Sequence, residues 1–395
     1  MTPADRISVV TAVDGRFRTT SVCLGVAYGA RHDPADRGGL AHVLEHLLMS
    51  APVSGVGPLA QHIERLGGSV NAETGPEQML FSAQVDADDA DEVVDLLLRA
   101  VLTPELDAAT FDTERAAVLR EIEAAAADPM DTVQDAFLSA LFPDHPLGRP
   151  VGGTAAGVAA MDLEGVRRVH RDALLTSPMA LAVVGPRMPA GLNATGHAPP
   201  AAGTPRPPVL PGPARPAGPA WPDAFAWVAV GGRSTALTDT GRHRYTVLAN
   251  LLGGHASSVL YRELRVGAGL ASSFQAWDRG YTEAGAWRVL IGVESGNGPE
   301  AVAVVTRELD ALATAGPTDA DLEAARRHAR MRLLRDTETP LEHARLLASN
   351  ALSQDGPWDL DGELGKIAAV TRDDVRAAAS ALRDGLVTVV RPEAA

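Results

Sequence analysis

The chain runs to 395 residues, 46% hydrophobic and 22% charged, which is ample material for packed cores. Its 50 acidic and 35 basic residues leave a net charge of −15. That balance excludes nucleic acid as the main partner, because phosphate binding needs a basic face. A single cysteine, Cys23, excludes an internal disulfide and a cysteine-rich zinc site. The N-terminal MTPADRISVV lacks a basic stretch followed by an apolar one, and no apolar run reaches the roughly 18 residues of a membrane span. A cytoplasmic protein with no membrane contact is the expectation.

In chain order, the apolar periodicity predicts a strand over 20–28, helices over 39–49 and 57–66, and a strand over 78–85 (QMLFSAQV). Helices over 88–101, 108–127, 131–141 and 162–173 follow, then a strand over 180–185. Residues 187–222 are a Pro/Ala/Gly segment with no period, read as an extended linker. Beyond it come a strand over 225–231, a helix over 241–252 and a strand over 286–293. Helices over 298–314, 318–335 and 340–352 precede a closing strand over 386–391. The class is α+β, with domains 1–186 and 223–395 around the linker. The two sides look alike. Val43-Leu44-Glu45-His46-Leu47-Leu48 aligns with Val247-Leu248-Ala249-Asn250-Leu251-Leu252, as a duplication that keeps packing residues and loses polar ones would.

The helix over 39–49 carries HVLEH. Positions i and i+4 share a helix face, so His42 and His46 point the same way and can reach one zinc ion. Glu45 sits on a neighbouring part of that face, where it can contact a water at the metal. Leu40, Ala41, Val43, Leu44, Leu47 and Leu48 make the helix apolar nearly all round. Such a helix is buried, and buried ionisable groups need partners or a metal. A catalytic zinc takes three protein ligands. Helix 108–127 offers Glu114 and Glu121 on one face two turns apart, with Glu123 as a competitor.

These residues resemble the zinc metallopeptidase family of pitrilysin, insulin-degrading enzyme and mitochondrial processing peptidase. H-x-x-E-H is its inverted zinc motif. The family's third ligand is a glutamate some 75 residues downstream, in an ExxxxxxE pattern. Here ERAAVLRE runs from Glu114 to Glu121, and Glu121 lies 75 residues after His46. The resemblance implies one zinc ion per chain held by His42, His46 and Glu121. It implies Glu45 as the catalytic base and Glu114 as a second acidic residue, and it disfavours Glu123. It covers nearly the whole chain: GARHDPADRGGLAHVLEHLLM, GGSVNAETGPEQMLFSAQV, HPLGRPVGGT (145–154), ALAVVG and GGHASSVLYRELRVGAGLAS (253–272) all look like family segments.

The fold it implies is two homologous α/β sandwich domains, each a mixed, mostly antiparallel sheet flanked by helices, the second lacking zinc ligands. Together they form half of a clamshell. Four such domains enclose the family's chamber, so a two-domain chain implies a dimer. Asn71 and Ala72 match the residues that hold a peptide in extended form by strand addition. In the second domain the family binds the substrate backbone with an arginine and, seven residues on, a tyrosine. Here Arg265 is kept but Ser272 stands where tyrosine is expected. Val259 and His255 also depart from the usual arginine and glycine. A serine hydroxyl does not reach as far as a phenol, so either the position tolerates drift in a homodimer or the chain pairs as a heterodimer with one that brings the intact pair. The expected function is a zinc-dependent endopeptidase acting on unfolded peptides. The alternative is a non-catalytic scaffold subunit like the core proteins of a respiratory complex, which would have no use for three ligands and a base.

Overall fold

The computed structural model describes residues 7–53, 55–190, 192, 212–213, 220–353 and 358–394, so most of the expected linker lies outside the described residues. The chain divides into two compact units, Met1–Ala124 with Arg149–Arg206 and Arg335–Trp358, and Ala125–Gly148 with Pro207–Leu334 and Asp359–Ala395. Each unit is built mainly from one half of the chain and takes a helical stretch from the other half.

The first unit holds a five-stranded sheet in the order Ile7–Val13, Met179–Gly185, Thr19–Val26, Met79–Asp86, Ser69–Thr74. Only the first pair is parallel. The inner strands Thr19–Val26 and Met179–Gly185 are buried along almost their whole length, as strands covered on both faces must be. On one face sits the helix Leu40–Ser50, whose Leu44, Leu47 and Leu48 pack into a core with Phe81, Leu97 and Ile63. The other face is small: Cys23, Ala182 and Val184 pack against Ala344 and Ala348 of the helix Pro340–Ser353. A Cβ at Gly25 would come within 2.8 Å of a Leu352 methyl, so that helix lies very close to the sheet. Burial pushes the Cys23 thiol up to about 12, which leaves it an inert packing group.

The second unit holds a four-stranded antiparallel sheet in the order Val387–Arg391, Ala226–Ser234, Gly285–Val293, Ser273–Gly280. The helices His243–Leu252, Gly298–Ala315 and Arg372–Arg383 share a core on one face. The other face is covered by the helix Pro129–Leu141 through Val133, Phe137 and Leu141.

Both halves of the chain repeat one order of elements: inner strand, short helix, edge strand, inner strand, helix, then a helix of 20 residues, Ala108–Ala127 or Asp319–Glu338. The next helix in each series, Pro129–Leu141 or Pro340–Ser353, is the one that joins the sheet of the opposite unit. The duplication seen in the VLxxLL alignment thus extends to four strands of each sheet, the parallel strand Ile7–Val13 having no counterpart among the described residues, and both sheets are flanked by helices as expected. Ile7–Val13, Ser69–Thr74 and Ser273–Gly280 add strands that the periodicity did not predict. All three lie at sheet edges; Ser69–Thr74 and Ser273–Gly280 intersperse exposed and half-buried residues, and Ile7–Val13 buries only Ser8 and Val9, so their apolar signal is weak.

Candidate metal centre

The histidine-bearing helix is anchored at its first turn by an acid from outside it. The buried Asp33 carboxylate accepts hydrogen bonds from the backbone N–H groups of Gly39 and Ala41, each at 2.9 Å. These are donors that a helix start leaves unpaired. Gly39 has φ 96°, and a Cβ there would come within 2.5 Å of the Gly152 carbonyl oxygen, so only glycine fits. Arg149 Nη1 donates to the Asp33 carbonyl at 3.0 Å. Burial pushes Asp33 up to about 6, against the pull of the backbone donors.

From that start, His42 and His46 project side by side, with ring centroids 4.8 Å apart and planes nearly perpendicular. Glu121 reaches both from the helix Ala108–Ala127. Its Oε2 lies 3.5 Å from Nε2 of His42 and 3.4 Å from Nε2 of His46. One ligand atom from each of the three residues falls within 4.8 Å of the others. Two imidazole nitrogens and a carboxylate oxygen are a donor set suited to zinc. A tetrahedral ion with bonds of about 2.0–2.1 Å holds its ligand atoms roughly 3.3–3.4 Å apart. The His42–Glu121 and His46–Glu121 separations match that spacing, so the residues fit the metal. Burial pushes His42 down, with His46 adding to the effect and Glu121 opposing it, which favours the neutral imidazole that a metal requires.

The two carboxylates on that helix take different positions around His46. Glu114 Oε2 lies 3.1 Å from Nδ1 of His46, on the opposite edge of the ring from Glu121. A carboxylate behind a ligand imidazole fixes its tautomer and orientation. His42 has no such support: its Nδ1 is buried without a hydrogen-bond partner among the described residues, facing Gly152. Glu123 is exposed and outside the cluster. Glu45 is three-quarters of a turn on from His42, and its Oε2 accepts a hydrogen bond of 2.5 Å from the Thr74 hydroxyl. Burial pushes the Glu45 carboxyl up, while Thr74 pulls it down.

Thr74 ends the strand Ser69–Thr74, which also carries Asn71 and Ala72. This strand is the sheet's edge: Asn71 pairs with Ser82 and Ala72 with Phe81 on its inner side. Asn71 is exposed and Ala72 half-buried. Glu73 forms an ion pair with Arg345 of the helix Pro340–Ser353. Arg345 and Thr74 carried no motif signal, because their partners are distant in sequence.

Arg265 and Ser272 belong to the second unit. Arg265 lies in a π-helical turn, Tyr261–Gly267, and donates to the Ser272 carbonyl at 3.3 Å. The two positions are thus together, through the backbone of Ser272 and not its hydroxyl. The aromatic ring beside the guanidinium is Tyr261, with its centroid 5.4 Å from Arg265 Cζ.

Residues 8–155 match the family model described as Insulinase (Peptidase family M16), and residues 190–328 match that of the Peptidase M16 inactive domain. An uncharacterized zinc protease of Mycobacterium leprae (strain TN) is 30% identical over 393 residues, covering 95% of this chain and 87% of that protein. Among solved structures, a protease from Helicobacter pylori superposes with a TM-score of 0.82 at 18% identity, covering 99% of this chain and 98% of the other. A peptidase M16 inactive domain from Pseudomonas fluorescens gives 0.82 at 17% identity, covering 99% and 96%. At those identities both likenesses show a shared fold over nearly the whole of each chain. With that similarity sustained over nearly its whole length, the chain belongs to peptidase family M16, in its two-domain form.

Proposed function

We propose that this chain is a zinc-dependent endopeptidase that cleaves unfolded peptides. The convergence of His42, His46 and Glu121, with Glu45 on the same helix, is the observation that carries this reading. When bound, zinc supplies Lewis acidity towards the scissile carbonyl and an activated water. His42, His46 and Glu121 would hold it, with Glu114 fixing the His46 ring. Glu45 accepts a proton at Oε1, the oxygen that Thr74 leaves free, and returns it to the departing amine nitrogen. The open edge at Asn71 and Ala72 aligns the peptide backbone by adding it as a further strand. Arg265, or its equivalent on a partner chain, is the candidate donor for backbone binding and for the developing negative charge.

The clamp lacks a phenol at Ser272, and Arg265 already engages that residue's carbonyl. This supports an assembly with a second family chain that supplies the missing group, as a heterodimer, or with a second copy that tolerates its loss. No helix among the described residues is long and apolar enough to cross a membrane.

The test is hydrolysis of a mixed quenched-fluorescent peptide library, with bound zinc quantified in the same samples. The wild type is expected to carry about one zinc per chain and to cleave. Glu45→Gln should keep the zinc and lose cleavage. A Glu45→Gln protein that cleaves as fast as wild type with zinc bound would remove Glu45 from the reaction.

A further inference from the structure

Glu45 is the group on which proton transfer depends, yet nothing in its own helix holds its carboxylate. A glutamate has three side-chain torsions, and an unheld carboxylate samples several orientations. The contact that selects one comes from the edge strand: the Thr74 hydroxyl donates to Glu45 Oε2 at 2.5 Å and leaves Oε1 unengaged by it.

Thr74 can act this way because its own position is over-determined. It pairs with Met79 in the sheet, and Gly75 N–H closes the following turn on the Gln78 carbonyl at 2.8 Å. The turn is docked on a second segment, where Ala30 N–H donates to Gly75 O at 3.1 Å and Arg31 N–H to Pro76 O at 2.9 Å. An ion pair of 2.5 Å between Arg31 and Glu77 ties the same two segments. A β-branched side chain on such a backbone has little χ1 freedom. The hydroxyl is therefore presented from a rigid turn, and only its oxygen, not its methyl, carries the contact.

We propose that Thr74 is a positioning residue whose hydroxyl fixes the Glu45 carboxylate in the orientation that peptide hydrolysis needs, an inference that rests on the peptidase reading above. It does not touch the metal ligands, so its loss leaves zinc binding intact. Because Thr74 ends the strand that carries Asn71 and Ala72, it also ties the base to the element that aligns the peptide.

The test compares wild type, Thr74→Val and Thr74→Ser by steady-state kinetics, zinc content and crystallography. Valine keeps the shape and removes the donor. It should lower kcat by about 10–100-fold, the scale of an ångström-sized misplacement. KM should stay within about threefold, since ground-state binding is untouched. Zinc stoichiometry should not change. Serine, which restores the donor, should recover kcat to within about fivefold of wild type. In the crystals, Glu45 should hold one orientation in wild type and Thr74→Ser and should spread over several in Thr74→Val. A single, unmoved Glu45 in the Thr74→Val crystal overturns the proposal, even where kcat falls. A wild type that binds no zinc overturns the peptidase reading, while the crystallographic comparison still decides whether Thr74 holds Glu45.

Discussion

Glu114 and His46 lie 68 positions apart in the chain and meet at 3.1 Å, carboxylate oxygen to Nδ1, on the ring edge facing away from Glu121. Two glutamates on one helix thus address opposite nitrogens of one imidazole, one as candidate ligand and one as its support. Glu114→Gln should weaken zinc binding by about 10–100-fold without abolishing it, the range seen for carboxylates behind metal-bound histidines. Glu121→Gln should be markedly worse, since it removes a charged ligand. Glu123→Gln should have no effect. Competition with a chromophoric chelator ranks all three, and equal affinities for the Glu114 and Glu121 variants would contradict the division of roles.

Gly39 is where the histidine helix begins, and its backbone conformation is closed to other residues. Gly39→Ala places a Cβ 2.5 Å from the Gly152 oxygen at a φ of 96°. Left-handed strain and this backbone collision together should cost about 2–4 kcal/mol in urea unfolding. Loss of bound zinc should accompany it, because the displaced turn carries His42. An alanine variant as stable as wild type would show that the helix start is free to shift.

The second unit contains a pH-sensitive group far from the metal in sequence. Asp278 is half-buried, its Oδ1 accepts from the Ser234 hydroxyl at 2.5 Å, and desolvation pushes it up to about 6 against the pull of Ser234, the Arg279 backbone and Arg288. The folded chain therefore keeps this proton to a higher pH than the unfolded chain does. The stability it contributes is whole below the ordinary aspartate value of 3.8 and is lost as the pH rises through about 6. Asp278→Asn lacks this dependence. Between pH 4 and pH 7.5 the asparagine variant should gain about 2 kcal/mol relative to wild type, read from urea unfolding at each pH. A constant difference across that range would mean Asp278 is not desolvated.

How far the sequence reached is clearest at the metal cluster. His42 and His46 were legible because helical periodicity alone puts i and i+4 on one face. The choice of Glu121 over Glu123 was not legible from periodicity, since both lie on one long helix. The family-like ExxxxxxE spacing supplied it, and the fold places Glu121, not Glu123, against the two rings. Thr74 was out of reach, because its one distinguishing contact spans 29 residues and depends on how an edge strand meets a helix. The exchange of Pro129–Leu141 and Pro340–Ser353 between the units was hidden for a similar reason. Both helices read as ordinary amphipathic segments, and periodicity says that a face is buried without saying against which sheet.

On the peptidase reading proposed above, that exchange has a functional consequence at Arg345. The helix Pro340–Ser353 comes from the second half of the chain, yet it meets the edge strand through Arg345 on Glu73 and the turn that follows through Ser349, which accepts from Gln78. As a stability device a partly exposed pair is worth only about 0–1 kcal/mol. Its leverage is on the position of Asn71 and Ala72, the residues beside Glu73. Arg345→Ala should therefore leave unfolding nearly unchanged and raise KM by about 3–10-fold, with kcat within about twofold, because uniform peptide binding is what a loosened edge loses. Reversing the pair, Arg345→Glu with Glu73→Arg, should recover most of that affinity, whereas Arg345→Glu alone sets two acids together and should be the weakest binder. If KM is the same in all of these variants, the helix from the second half covers the sheet without holding its edge.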